Sequence, residues 1–317
     1  MLLQLALLAP LEGEWETLQG EKIRGTLVEL NQNEAVLKGD QKERKLPLTE
    51  ILQFSTAISK PRQPRDPREG SAELVDGSRF GFLDVTGEDQ GNSLVFKTPR
   101  LGTLKLDTKL VRSLRIGPVE GELGAAWNQL AEKRSRDDRL VVRKEKVLDF
   151  LTGVIGELDP KSLKFLLENE EINVKRERIY GLLYARPEGP VTRGIQLDVA
   201  GMDQFKNIAH ISGDAKELKL ELSSGTNVTL APEIVSRLDF SAGKLQYLSE
   251  MTPKDVQYQP FFDVIQQFTK DRNLDGGRSV WTARPTRGIC LHSKTILKYE
   301  LPDGFRRFRP WPGSINL

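Results

Sequence analysis

Apolar positions recur along the chain at a fixed and unusual spacing: one residue, a second five places later, and a third three places after that. Leu46, Ile51 and Phe54 are the first copy; Leu106, Val111 and Leu114 the second. Val174, Ile179 and Leu182 follow, then Leu230, Val235 and Leu238. Neither a helical period of 3.6 nor an unbroken strand period of 2 gives this spacing. It predicts a strand that ends, a one-turn polar connector, and a new strand. Pro47, Thr49 and Glu50 suit such a connector, as do Asp107 with Thr108, Arg176 with Glu177, and Pro232 with Glu233.

The stretch ahead of each copy repeats as well. Gly25 to Leu30 (GTLVEL) parallels Gly153 to Leu158 (GVIGEL), and in the second copy Asp76-Gly77-Ser78 forms a hairpin turn before Phe80, Phe82 and Val85. A further apolar run then meets a second turn in every copy. Ala35-Val36-Leu37 precede Lys38-Gly39-Asp40, and Leu94-Val95-Phe96 precede Arg100-Leu101-Gly102. Leu163, Phe165 and Leu167 precede Glu168-Asn169-Glu170; Leu218, Leu220 and Leu222 precede Ser223-Ser224-Gly225. Each unit therefore reads as about five short antiparallel strands in roughly 45 residues. That plan resembles an Sm-like or SH3-like small β-barrel, at residues 12–56, 72–116, 138–184 and 192–240. A core this small is marginal alone, so the units are expected to pair or to pack on their neighbours.

The connections differ in kind. Residues 57–71 carry three prolines with Arg62, Arg65 and Arg68, an extended solvated linker. Residues 117–137 contain AAWNQLAEKRSR, the one helix the sequence predicts, with Trp127 and Leu130 placed to cap a barrel mouth. Residues 185–194 form a short Pro/Gly connection. At the other end of the chain, residues 1–11 hold a short apolar run. It reads as the remnant of a signal peptide, against the alternative of a first buried strand.

Beyond residue 244 the pattern changes. Ile289 and Leu291, then Ile296, Leu297, Tyr299 and Leu301, alternate with polar residues as half-buried strands do. Asp275-Gly276-Gly277 and Pro302-Asp303-Gly304 are tight turns, and Phe305 and Phe308 open another strand. With Gly288, His292 and Ser293, these residues resemble the NPCBM family of carbohydrate-binding modules, over residues 247–308. The resemblance implies a β-sandwich of the galactose-binding type in an exported bacterial protein; some members are glycoside hydrolases. After Phe308 the chain reads RPWPGSINL, where the family continues with further strands. The sandwich at 244–317 is therefore expected to be partial.

The fold expected for the whole is all-β: tandem small barrels followed by a partial sandwich. Composition adds little. Forty-seven basic and 45 acidic residues leave a net charge of +2, which implies no polyanionic partner, so nucleic acid is not expected. The lone cysteine, Cys290, excludes an internal disulfide and reads as a structural thiol. Two histidines are too few for a His-based metal site, and no segment has the ~20 apolar residues that span a bilayer. Phosphate-binding glycine loops, nucleophile elbows, His-Glu-x-x-His and Cys-x-x-Cys are all missing. No enzyme activity and no cofactor are expected. What remains is binding: a carbohydrate partner, with Trp281, Arg284, Arg287 and His292 as contact residues, in a secreted, periplasmic or envelope protein. Trp281 and His292 also have plain readings as sandwich core or rim. The alternative function is a scaffold whose barrels bind other proteins or copies of themselves, with nucleic-acid binding on the basic linker at Arg62, Arg65 and Arg68 a distant third.

Overall fold

The computed structural model describes residues 11–39, 42–56, 66, 69–120, 122–133, 135–187, 194–199, 203–214, 216–260, 265–271, 288–292, 294–305 and 308. The chain is all-β and antiparallel throughout its described pairings, and it divides into two compact units, Met1–Lys244 and Leu245–Leu317.

Four modules of common design make up the first unit. Module 1 comprises β1 (Glu12–Thr17), β2 (Lys22–Leu30), β3 (Glu34–Lys38), β4 (Glu43–Pro47) and β5 (Ile51–Thr56). Strands adjacent in sequence pair up to β4, and β5 returns to pair with β1, placing Trp15 opposite Phe54. Module 2 has β6 (Gly70–Leu74), β7 (Arg79–Phe82), β8 (Asp84–Glu88), β9 (Ser93–Thr98), β10 (Gly102–Asp107) and β11 (Val111–Arg115). Here β7 and β8 correspond to one second strand, broken at the exposed Leu83. The helix α1 (Leu123–Glu132) leads to module 3: β12 (Asp138–Lys144), β13 (Val147–Leu158), β14 (Ser162–Leu167), β15 (Glu170–Lys175) and β16 (Ile179–Leu183). Module 4 is β17 (Ile195–Val199), β18 (Gln204–Asp214), β19 (Leu218–Leu222), β20 (Asn227–Leu230) and β21 (Val235–Asp239). In every module the first and last strands pair.

The five-then-three spacing takes the same form four times. A strand ends, a single 3₁₀ turn follows (Leu48–Glu50, Thr108–Leu110, Arg176–Arg178, Pro232–Ile234), and the last strand begins at once. The third apolar position falls in the middle of that last strand. There Phe54, Leu114, Leu182 and Leu238 are all fully buried.

Those four residues also join the modules. Strand β5 pairs with β21, Phe54 opposite Leu238, and β11 pairs with β16, Leu114 opposite Leu182. The result is two four-stranded layers, β1-β5-β21-β17 and β6-β11-β16-β12, each running across two modules. The two junctions share their flanking bonds. The Phe240 amide donates to the Leu52 carbonyl at 2.9 Å, and the Tyr184 amide donates to that of Arg112 at 2.9 Å. At the second junction the reciprocal bond, Ile116 amide to Tyr180 carbonyl, is 2.8 Å, so the two modules meet about a local dyad. Module 1 thus partners module 4, and module 2 partners module 3. Each last strand loses its open edge to the other member of the pair, which shields the hydrogen-bonding groups a solitary edge would expose.

Helix α1 does not cap a barrel mouth. Leu123 and Trp127 lie against Val141, Tyr180 and Leu183, residues that alternate with the core-facing Leu140 and Leu182, so the helix sits on the outer face of the sheet. Gly181 makes room for it: a Cβ there would stand 2.4 Å from the Trp127 ring and 2.6 Å from the Leu114 carbonyl oxygen. The guanidinium of Arg139 donates to the carbonyls of Leu130 and Lys133 at the end of α1, where orphan helix carbonyls need donors. Beside the helix the same module leaves Phe150, Val154 and Leu166 exposed, with Val154 and Leu166 opposite one another.

In the second unit the described pairings are β22 (Asp255–Tyr258) with β25 (Thr295–Lys298), and β23 (Thr269–Lys270) with β24 (Ile289–Cys290). Cys290 is free and half-buried. Among the described residues no helix is long and apolar enough to cross a membrane.

Candidate functional site

In the second unit the chain ends of two short ladders converge. Tyr258 and Thr295 are the terminal cross-strand pair of β22 and β25, and the Gln259 amide extends the ladder by donating to the Lys294 carbonyl at 2.9 Å. Lys294 has φ 59°, the left-handed conformation that turns the chain from His292 into β25. The Thr295 hydroxyl donates to the His292 carbonyl at 3.0 Å and closes that turn. From the other side, β24 brings the chain to His292, and the segment before β23 supplies Ile265 and Gln266. The β23–β24 ladder is fixed by Asp271 at the end where the chain passes from one strand to the other: its amide donates to the Gly288 carbonyl, and its carboxylate accepts from the Gly288 amide, both at 2.8 Å.

Between these ends lies a shallow, solvent-open surface hollow lined by Tyr258, Gln259, Pro260, Ile265, Gln266, His292 and Thr295. Its chemistry is uniform. Two carboxamides, a hydroxyl and an imidazole offer donors and acceptors in fixed planes, and a phenol, a proline and an isoleucine offer apolar surface. No described lining residue is a carboxylate, a lysine or an arginine. Such a surface suits an uncharged polyhydroxylated ligand, and suits a phosphate or a polycation poorly.

Of the residues singled out from the sequence, His292 lies in this hollow. It is exposed, at the end of β24, and is no part of a packed core. Trp281, Arg284 and Arg287 lie outside the described residues. Sequence reading missed Gln259, Gln266 and Thr295. Glutamine and threonine beside short strands carry no periodic signal, and only the convergence of two ladders brings them together.

A second concentration of polar chemistry lies in the first unit. Arg100, in the β9–β10 turn, donates through Nε to Asp203 and through Nη2 to Glu69, each at 2.8 Å. The Asp203 side chain is wholly buried, and its other oxygen accepts from the Gly81 amide at 2.8 Å. Burial opposes the charge on Arg100, but the hydrogen bonds it donates to Glu69 and Asp203 outweigh it and hold the guanidinium protonated above its usual range. The cluster's described side-chain hydrogen bonds run among its own members and from the Gly81 amide. Among the described residues, no group of three or more His, Cys, Asp or Glu side chains is placed to hold a metal ion.

Comparison with protein families, with characterised proteins and with solved structures gives no match for this chain.

Proposed function

We propose that this chain is a non-catalytic binding protein whose C-terminal unit engages a glycan. In this reading the four modules are small barrels of the Sm or SH3 kind, joined by their last strands into two pairs. The unit beyond residue 244 is a partial galactose-binding-type sandwich of the NPCBM sort, carried by an exported protein that acts at a cell envelope or on an extracellular polysaccharide. The observation behind this reading is the lining of the hollow at His292: an aromatic ring, two carboxamides, an imidazole and a hydroxyl, with no fixed charge among its described members. Sugars are held by that combination, C–H faces against apolar rings and hydroxyls against planar polar groups.

A glycan array probed with the intact chain, followed by calorimetry on the best ligand, tests this. Tyr258→Ala and His292→Ala should each weaken binding about tenfold, the equivalent of ~1.4 kcal/mol. Unchanged thermal stability would show that the C-terminal unit still folds. Silence across the array, or full affinity in both variants, would remove the proposal.

A further inference from the structure

The two module pairs are held together where module 2 meets module 4. The tip of the β6–β7 hairpin docks on β18: Asn207 donates through Nδ2 to the Asp76 carbonyl at 3.0 Å, and the Lys206 amide donates to the Ser78 hydroxyl at 2.9 Å. The strands themselves share a single bridging pair, Arg79 with Gln204. Behind the hairpin Phe80 and Phe205 stack at 6.5 Å, both fully buried. Beside them stands the Arg100 cluster, in which Glu69 and Arg100 come from module 2 and its lead-in and Asp203 stands just before β18 of module 4. Arg115 steadies Glu69 by donating to its carbonyl at 2.8 Å.

This joint contrasts with the seams inside each pair. Those are continuous backbone ladders between last strands, while the joint rests on side-chain hydrogen bonds, one aromatic stack and a buried ion cluster. Covalently the pairs are connected through residues 57–69 and 184–194 alone, whereas the segment carrying α1 stays within one pair. A buried ion cluster adds little net stability when complete, but losing one member strands the others without partners. Cooperative blocks of a fold coincide with such differences in local bonding.

We propose that the joint is a latch: the pairs 1–4 and 2–3 are separately cooperative bodies, and Arg100 is the pin whose release lets them part and uncovers Phe80 and Phe205. Parting would expose two aromatic rings on opposing surfaces.

Native-state hydrogen exchange on the full chain in dilute urea, read amide by amide, decides the matter. The joint amides of Gly81 and Lys206 should exchange ~100-fold faster than the seam amides of Ile116, Tyr184 and Phe240. Arg100→Met should speed the joint amides by a further ~10-fold and leave the seams unchanged, with Arg100→Lys in between. One common rate for joint and seams in the unmodified protein overturns the proposal. So does an Arg100→Met variant that loses protection equally everywhere. The first comparison needs no variant, so misfolding of Arg100→Met would not obscure it.

Discussion

Just beyond the end of β16 the Tyr184 side chain is almost wholly buried, with the Arg186 guanidinium 5.2 Å above its ring. Burial, reinforced by the nearby Asp138 carboxylate, pushes its phenol above the ordinary range. The linkage follows directly. Below the unfolded value near 10 the phenol is protonated in both states and pH has no leverage. Above it the unfolded chain releases a proton that the folded chain retains, so unfolding gains by up to ~1.4 kcal/mol per pH unit. Urea midpoints should therefore fall between pH 9 and pH 11, and Tyr184→Phe should flatten that fall; an unaltered alkaline slope would refute the assignment. Other single residues were harder to foresee. Gly181 looks ordinary in IYGLL, yet it is the point where Trp127 rests against the β11–β16 seam. Trp127 was legible as an apolar helix residue, and what it packs on was not.

Among the elements, the 3₁₀ turns and the strands after them were readable because each rests on local spacing: five residues carry one buried position to the next across a single turn. Hairpin geometry was partly readable. Glu168 and Asn169 join β14 to β15 with φ of 50° and 71°, both left-handed, in a turn that favours asparagine followed by glycine. The double substitution Glu168→Asn, Asn169→Gly should raise stability by ~0.5–1 kcal/mol, measured by chemical denaturation. A loss would mean that the turn is held by contacts other than its own backbone preference. The hollow in the C-terminal unit shows the opposite limit. Its residues come from the ends of two ladders, and alternation along one strand says nothing about which end another strand will meet.

For the molecule as a whole, the sequence carried four similar modules but not their partners. Phe54, Leu114, Leu182 and Leu238 occupy one position in four copies, and no local feature tells which will face which. Arg100 and Asp203 lie 103 residues apart. The pairing that results has a direct test. A chain ending at residue 187 lacks module 4 and leaves β5 with a bare edge and Phe54 uncovered, so it should self-associate in size-exclusion chromatography. A chain ending at residue 244 keeps both seams and should run as one sharp species; similar behaviour of the two would contradict the pairing. The nested order, outer modules together and inner modules together, also bears on biosynthesis. The inner pair is complete as soon as β16 leaves the ribosome, while module 1, made before it, waits for β21, the last strand of the four modules, through the whole interval of translation between them. Of the four modules the earliest made is thus the last to find its mate, and any chaperone that serves this protein has that waiting strand to guard.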